Sequence, residues 1–352
     1  MFKITKNWKE LSPELYTWDE DSKTLSTNQS WIGIVCYYEW VTFRTRDDCT
    51  FITGSGCSFE TGNECSFKTG DDCTFRTGDN CTFITGSGCN FLTGDDCTFY
   101  TGDVCTFDAR SDCTFDTGSD CTFDTGSRCT FRTGGNCTFR TYNYCAFKTR
   151  DNCTFNAGLI CNFETGDDCT FTTGTHCTFE TGDDCVFKTG RDCIFRTGPD
   201  CVFKTGDDCT FRTSNDCAFK TGDNCTFYTG GDCTFDTSCY CTFETGDDCN
   251  FNTGINCTFK TGSGCAFRTG GNCTFRTFNY CAFKTGRGCT FRTSSNCTFN
   301  TGSSCIFNTG PYCVVVRRDI NEVIEVPENQ KIKLNWSEKK WYEEAEEEDK
   351  DI

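Results

Sequence analysis

Residues 73–103 read CTFRTGDNCTFITGSGCNFLTGDDCTFYTGD. The pattern Cys-Thr-Phe-x-Thr-Gly-polar-polar returns every eight residues, and it sets the architecture of most of the chain. From Cys49 to Tyr312 there are 33 complete octapeptides with no insertion or deletion. An array of loops would tolerate insertions at its turns. Strict length means that each repeat is locked to its neighbours by stacking.

Each position has a physical reading. Position 1 is Cys and position 3 is Phe in every complete repeat, while position 4 accepts almost any polar residue. Position 2 is mostly Thr, with Val186, Ile194, Val202 and Ile306 as variants. Fixed apolar residues at 1 and 3 with variable residues between them are the period-two signature of a strand with one buried face. A β-branched residue at position 2 suits the outer face of that strand. Position 5 is Thr, replaced only by the small Ala109 and Ala157 in the complete repeats, so it reads as partly enclosed with its hydroxyl bonded to backbone. Position 6, mostly Gly, reads as the turn residue with φ > 0, and positions 7 and 8 are turn formers.

A five-residue strand and a three-residue turn cover a perimeter of only about 26 Å, too little to enclose Phe. Two octapeptides can close. The predicted fold is therefore all-β: a two-sided parallel β-solenoid with 16 residues per coil and coils about 4.8 Å apart. About 17 coils would make a rod roughly 80 Å long. Inside it run facing Phe ladders flanked by Cys ladders, exemplified by Cys73, Phe75, Cys81 and Phe83 and, further along, by Cys177, Phe179, Cys185 and Phe187. Residues 130–149 recur almost unchanged at 266–285, an offset of 17 repeats. An odd offset moves a segment to the opposite side of a two-repeat coil, so both sides must accept the same sequence.

Four segments follow. Residues 1–40 lack the repeat and carry Trp8, Trp18, Trp31 and Trp40, which suits an N-terminal plug. Residues 41–312 form the solenoid, opening on a degenerate copy with Val41 in the Cys position. Residues 313–336 lose the octapeptide but keep strand alternation at Val323, Ile324, Val326, Ile332 and Leu334, a closing β element. Residues 337–352 are an acidic tail, expected to be solvated and partly disordered. Open solenoid ends expose unpaired strand edges, hence the two caps.

Composition bounds the chemistry. There are 36 Cys, 36 Phe and 34 Gly against one His and 4 Pro. Cysteine at this density usually marks a secreted disulfide scaffold, but the first residues, MFKITKNWKELSPEL, lack an apolar export signal. The expectation is a reducing interior, or a virus particle assembled there, with most thiols free. No run approaches a membrane span, and a formal net charge of −18 argues against nucleic-acid binding.

Every candidate chemistry competes with a plainer reading. Buried Cys fills space beside Phe as a small hydrophobe; a disulfide ladder or soft-metal thiolates are the alternatives. Cys239, in the run SCYC, falls at a turn position and is expected to be an exposed, reactive thiol. Asp pairs such as Asp71-Asp72 and Asp167-Asp168 read as solvated turns rather than calcium sites, since the calcium β-roll repeat is a nonapeptide. Position 4 gives like-charge blocks, Lys188 to Lys220 and Lys260 to Arg292, that are solubilising or face an acidic partner. Outward Thr ladders invite ice binding, but charge at position 4 spoils a flat face. His176 has no nucleophile constellation beside it, and no phosphate-loop or nucleotide fingerprint occurs.

The units CTFKTG, CTFRTG and CTFNTG, with the closing CVVVRRDINEVIEV, resemble a group of Cys-Thr-Phe octapeptide-repeat proteins from virus, phage and environmental genomes. The resemblance covers residues 41–326 and implies a narrow β-solenoid with no catalytic residues to carry over. The expected function is a non-enzymatic structural repeat protein, a spacer, fibre or binding scaffold, with no cofactor and with self-association or a protein partner. The alternative is a surface-binding module for ice, glycan or a charged protein.

Overall fold

The computed structural model describes residues 2–317, 322–327, 329–334 and 342–344. The chain divides into two units, Met1–Thr178 and Phe179–Ile352. In each unit the octapeptides wind as a parallel β-solenoid, two of them per coil, so that residue n pairs with residue n+16. In the first unit Phe75 pairs with Phe91 on one sheet and Phe83 with Phe99 on the other. In the second unit Phe187 pairs with Phe203 and Phe195 with Phe211.

The strands are shorter than the five residues expected. Most span positions 2 to 4, as in Thr74–Arg76, and a few reach position 5, as in Thr106–Ala109. The backbone bends at positions 7 and 8, and hydrogen bonding from coil to coil continues at the positions that flank the strand. The Thr74 N–H donates to the Cys57 carbonyl (2.9 Å) and the Thr77 N–H to the Leu92 carbonyl (3.0 Å). Pairing these amides from coil to coil offsets much of the cost of burying backbone in so narrow a coil.

Exact register stacks each Phe on its like. Phe75 and Phe91 lie parallel with centroids 4.8 Å apart, while Phe75 meets Phe83 across the core edge-to-face at 5.2 Å. The second unit repeats this with Phe195, stacked on Phe211 at 4.8 Å and edge-on to Phe203 at 5.3 Å. Stacked and T-shaped contacts are the two arrangements the ring quadrupole favours, and this core uses both for every ring. Cys73, Phe75, Cys81, Phe83, Cys177, Phe179, Cys185 and Phe187 are all buried.

The corner differs from the sequence reading. The left-handed residue is at position 8, not position 6: Asp72 has φ 56°, Asn80 56° and Asp96 57°. Asn, Asp and Gly predominate at position 8 because they tolerate that conformation best, although Val104, Ile160 and Tyr280 adopt it too. Glycine at position 6 is there for clearance instead. A Cβ on Gly86 would lie 1.8 Å from the Asp71 carboxylate of the preceding coil. That carboxylate is held in place by the Ser87 N–H, which donates to its Oδ1 at 2.9 Å. Position 7 is thus a side-chain acceptor for the next coil's backbone, a role that Asn63 and Ser55 fill equally.

The solenoid geometry begins before the octapeptides. Thr24–Ser26 pairs in parallel with Thr42–Arg44, setting Leu25 over Phe43, and Ile32–Cys36 pairs with Thr50–Thr53, setting Ile34 over Phe51. Antiparallel strands Thr17–Asp19 and Phe2–Lys6 then cover these two. The interior of this end is aliphatic: Ile4, Leu11, Leu25, Ile32 and Ile34 are buried. The tryptophans expected to plug it lie outside, Trp8, Trp31 and Trp40 being exposed and Trp18 half-buried. A slot one Phe wide continues with side chains no larger than Phe.

At the other end Val314–Arg317 continues the parallel ladder, and Glu322–Glu325 and Lys331–Leu334 close it with antiparallel pairings. Val326 and Ile332 are buried there, whereas Val323 is exposed. Tyr342–Glu344, within the acidic segment, adds one more antiparallel strand beside Lys331–Leu334. The rest of that segment lies outside the described residues.

Candidate functional site

Three sets of residues carry groups capable of chemistry: the thiol ladders, the corner columns and the exposed aromatics of the first 40 residues. All 36 cysteines are unbridged. Thirty-five are buried, and a ladder thiol meets its like at n+16: the Cys65 N–H points at the Cys81 sulfur, 3.4 Å away. Their S–H groups face corner carbonyls, as Cys73 does toward Asp71 (3.4 Å) and Gly54 (3.7 Å). The Cys65 thiol and then burial raise the Cys49 thiol above its ordinary range, and burial alone does most of this for Cys36. Adjacent buried thiols cannot readily ionise together, and the ladder cysteines, buried beside Phe, fill space as small apolar groups.

The position 5 hydroxyls serve the same corners. Thr77 and Thr133 donate to the carbonyl of the next residue at 3.5 and 3.2 Å. Others, such as Thr93 and Thr141, find no oxygen or nitrogen partner and lie beside the Cys97 and Cys145 thiols.

Cys239 stands apart at position 7, where the sequence reading expected it exposed. It is half-buried. Its N–H donates to Asp223 Oδ1 at 2.8 Å, and its sulfur lies over Gly254 of the next coil. His176 occupies a left-handed position 8 with its Nδ1 3.0 Å from the Thr175 hydroxyl.

The charged columns resolve by register. In the second unit Lys188, Lys204 and Lys220 stack on one sheet, while Arg196 and Arg212 stack on the other. Lys220 ends its column in an ion pair with Asp236, and Arg212 lies over the Tyr228 ring at 5.5 Å. In the first unit unlike charges alternate more often, as in Arg44–Glu60 and Arg140–Asp124. Acidic residues at position 8 also stack: the Asp216 carboxyl is raised by desolvation and then by Asp232 and Asp200. Among the described residues no group of three or more His, Cys, Asp or Glu side chains is arranged to hold a metal ion.

The most site-like feature is a cleft of about 880 Å³ in the first unit. Tyr16, Trp18, Tyr37, Tyr38 and Trp40 line it, with Glu20, Lys23 and Glu39. Two elements meet there. The strand Thr17–Asp19 brings Trp18, whose indole N–H donates to the Glu20 carboxylate. Tyr16, Glu20 and Lys23 flank that strand, and the segment 37–40 brings Tyr37, Tyr38, Glu39 and Trp40. Trp40 takes the left-handed conformation of position 8 (φ 59°), and its N–H donates to the Ser55 carbonyl at 3.2 Å. Its indole lies across Gly56, where a Cβ would come within 2.5 Å of the ring. Trp40 is therefore seated on backbone, yet 63% exposed, and Tyr37 is 81% exposed.

The sequence reading missed this cleft. The available signal was the run CYYEW at residues 36–40, three aromatics ahead of the first repeat. Its partners at 16–18 come from a hairpin whose placement the run does not reveal. No protein-family profile matches the chain, and no curated protein matches it. Among solved structures it is similar to "Geobacillus virus E2 - ORF18", at 11% identity and a TM-score of 0.08 over 80% of this chain. The chain spans about half the length of that protein, 53%.

Proposed function

We propose that this chain is a non-enzymatic structural repeat protein that serves as a spacer, fibre or binding scaffold. The observation that supports this most is the n to n+16 register kept within each unit, in which a fixed interior carries outward columns of almost unrestricted composition. Lys204 stacks on Lys188 while Leu92 stacks on Arg76, with the Phe beneath unchanged. A frame indifferent to its surface is suited to holding things at set distances and to presenting side chains at a set pitch.

The resemblance of the octapeptides to repeats from virus and phage genomes, together with unbridged thiols, supports a setting in a particle assembled in a reducing interior. The test is a length series. Deleting residues 81–96 removes one coil and should leave the protein folded, while shortening the spacing it sets in its native assembly by about 4.8 Å. Duplicating the same 16 residues should lengthen that spacing equally. An assembly whose dimensions ignore both changes would overturn the spacer reading.

A further inference from the structure

We infer that the cleft between Tyr16, Trp18, Tyr37, Tyr38 and Trp40 is a binding site for neutral carbohydrate, one or more pyranose units long. This does not depend on the chain acting as a spacer. Five aromatic side chains converge on one concavity, and two of them, Tyr37 and Trp40, keep most of their surface open to water. Exposed aromatic area of this kind is costly to leave uncovered and marks contact surfaces.

The chemistry of the lining selects the ligand. A pyranose presents an apolar face of C–H groups, weakly positive, which is attracted to the negative face of an aromatic ring. Its rim of hydroxyls then needs acceptors and donors. Glu20 and Glu39 supply acceptors, Lys23 a donor and the tyrosine hydroxyls both. Two carboxylates disfavour an acidic sugar. Lys23 and an open mouth disfavour a quaternary ammonium ion, which is held best inside a closed aromatic cage.

Two of the rings are also held before any ligand arrives. Trp40 is backed by Gly56, and Glu39 packs its Cγ 3.5 Å from where a Cβ on Gly54 would stand. Glu20 holds the Trp18 indole by its N–H. Rings fixed in advance lose little freedom on binding, which is where aromatic contacts gain over flexible ones.

The experiment is a titration of the full chain with cellotriose, chitotriose and maltotriose, followed by tryptophan fluorescence, with choline as the cationic comparison. A saturable change with at least one trisaccharide is expected, and none with choline. Tyr37→Ala should weaken that binding about tenfold or more with an unchanged thermal melt, since Tyr37 is outside the core. Glu39→Gln should weaken it less, and Tyr280→Ala, an exposed aromatic of the second unit, not at all. No response to any of the three sugars, a response to choline instead, or Tyr37→Ala leaving affinity unchanged would each overturn the inference. The length series of coil deletions bears on the spacer reading alone, so either can fail without the other.

Discussion

Two corners of the first unit, 38–40 and 70–72, share a backbone and differ in everything attached to it. Trp40 and Asp72 have φ of 59° and 56°, and each donates its N–H to a corner carbonyl of the next coil, Ser55 and Ser87. Each also lies over a glycine, Gly56 or Gly88, on which a Cβ would come within 2.5 Å of the overlying side chain. Asp72 uses this place for a small polar group that tolerates the left-handed conformation. Trp40 uses it as a seat for an indole. The repeat supplies a standard socket, and what a corner does depends on the side chain put into it.

The comparison holds only if the interior beneath both corners carries the stability, so the largest expected effect is there. Phe123 stacks between Phe107 and Phe139 at 4.8 and 4.7 Å and meets Phe115 and Phe131 edge-on. Phe123→Ala should cost about 3–5 kcal/mol in urea unfolding, and Arg132→Ala, on the outer face, less than about 0.5 kcal/mol. Equal losses would mean that the corners, not the core, hold the coils together.

Glycine substitutions sharpen the contrast between the corners themselves. Gly86→Ala requires the corner or the Asp71 carboxylate to shift, since a Cβ there would overlap Oδ1, an expected loss of about 1–3 kcal/mol. Gly54→Ala, in the coil next to the first corner, meets only Glu39 Cγ and the Tyr38 carbonyl, both at ordinary contact distance, and should change stability by less than about 0.5 kcal/mol. Matching thermal shifts for the two would show that position 6 is glycine for its backbone freedom after all.

The smallest effect is on stability and concerns a third kind of occupant. Cys239 sits in a position 7 socket with its sulfur over Gly254. Brief iodoacetamide treatment of the native protein should label Cys239 ahead of the 35 buried thiols, with no change in the melt. Early labelling of Cys81 or Cys177, read by mass spectrometry, would count against a closed ladder.

The solenoid was legible because its core follows a simple rule: Cys and Phe two residues apart, no indels, and a perimeter argument that excludes one repeat per coil. The corner was misread because sequence shows that a residue is small without showing why. Glycine at position 6 is small for clearance; Asn and Asp at position 8 were the better sign of a left-handed residue, since position 6 never uses them in the complete repeats. Tryptophans were placed inside on hydrophobicity alone, although a slot filled by Leu25 and Ile34 above Phe43 and Phe51 has no width for indole. The aromatic cleft depends on the hairpin at 17–26 reaching the corner at 38–40, a contact that no periodicity encodes.

The same register has a kinetic side. Backbone pairings within the array join residues only 15 to 17 apart in the chain, so loop closure is cheap and a coil can nucleate at many places and grow by zippering. Near-identical repeats also make a slipped start almost as good as the right one, since Phe over Phe is satisfied at every multiple of 16. Residues 2–36 are the exception: Leu25 and Ile34 sit 18 and 17 residues before their partners and fit only one coil. During synthesis this segment precedes the array, and it gives each following coil an edge of known phase on which to grow.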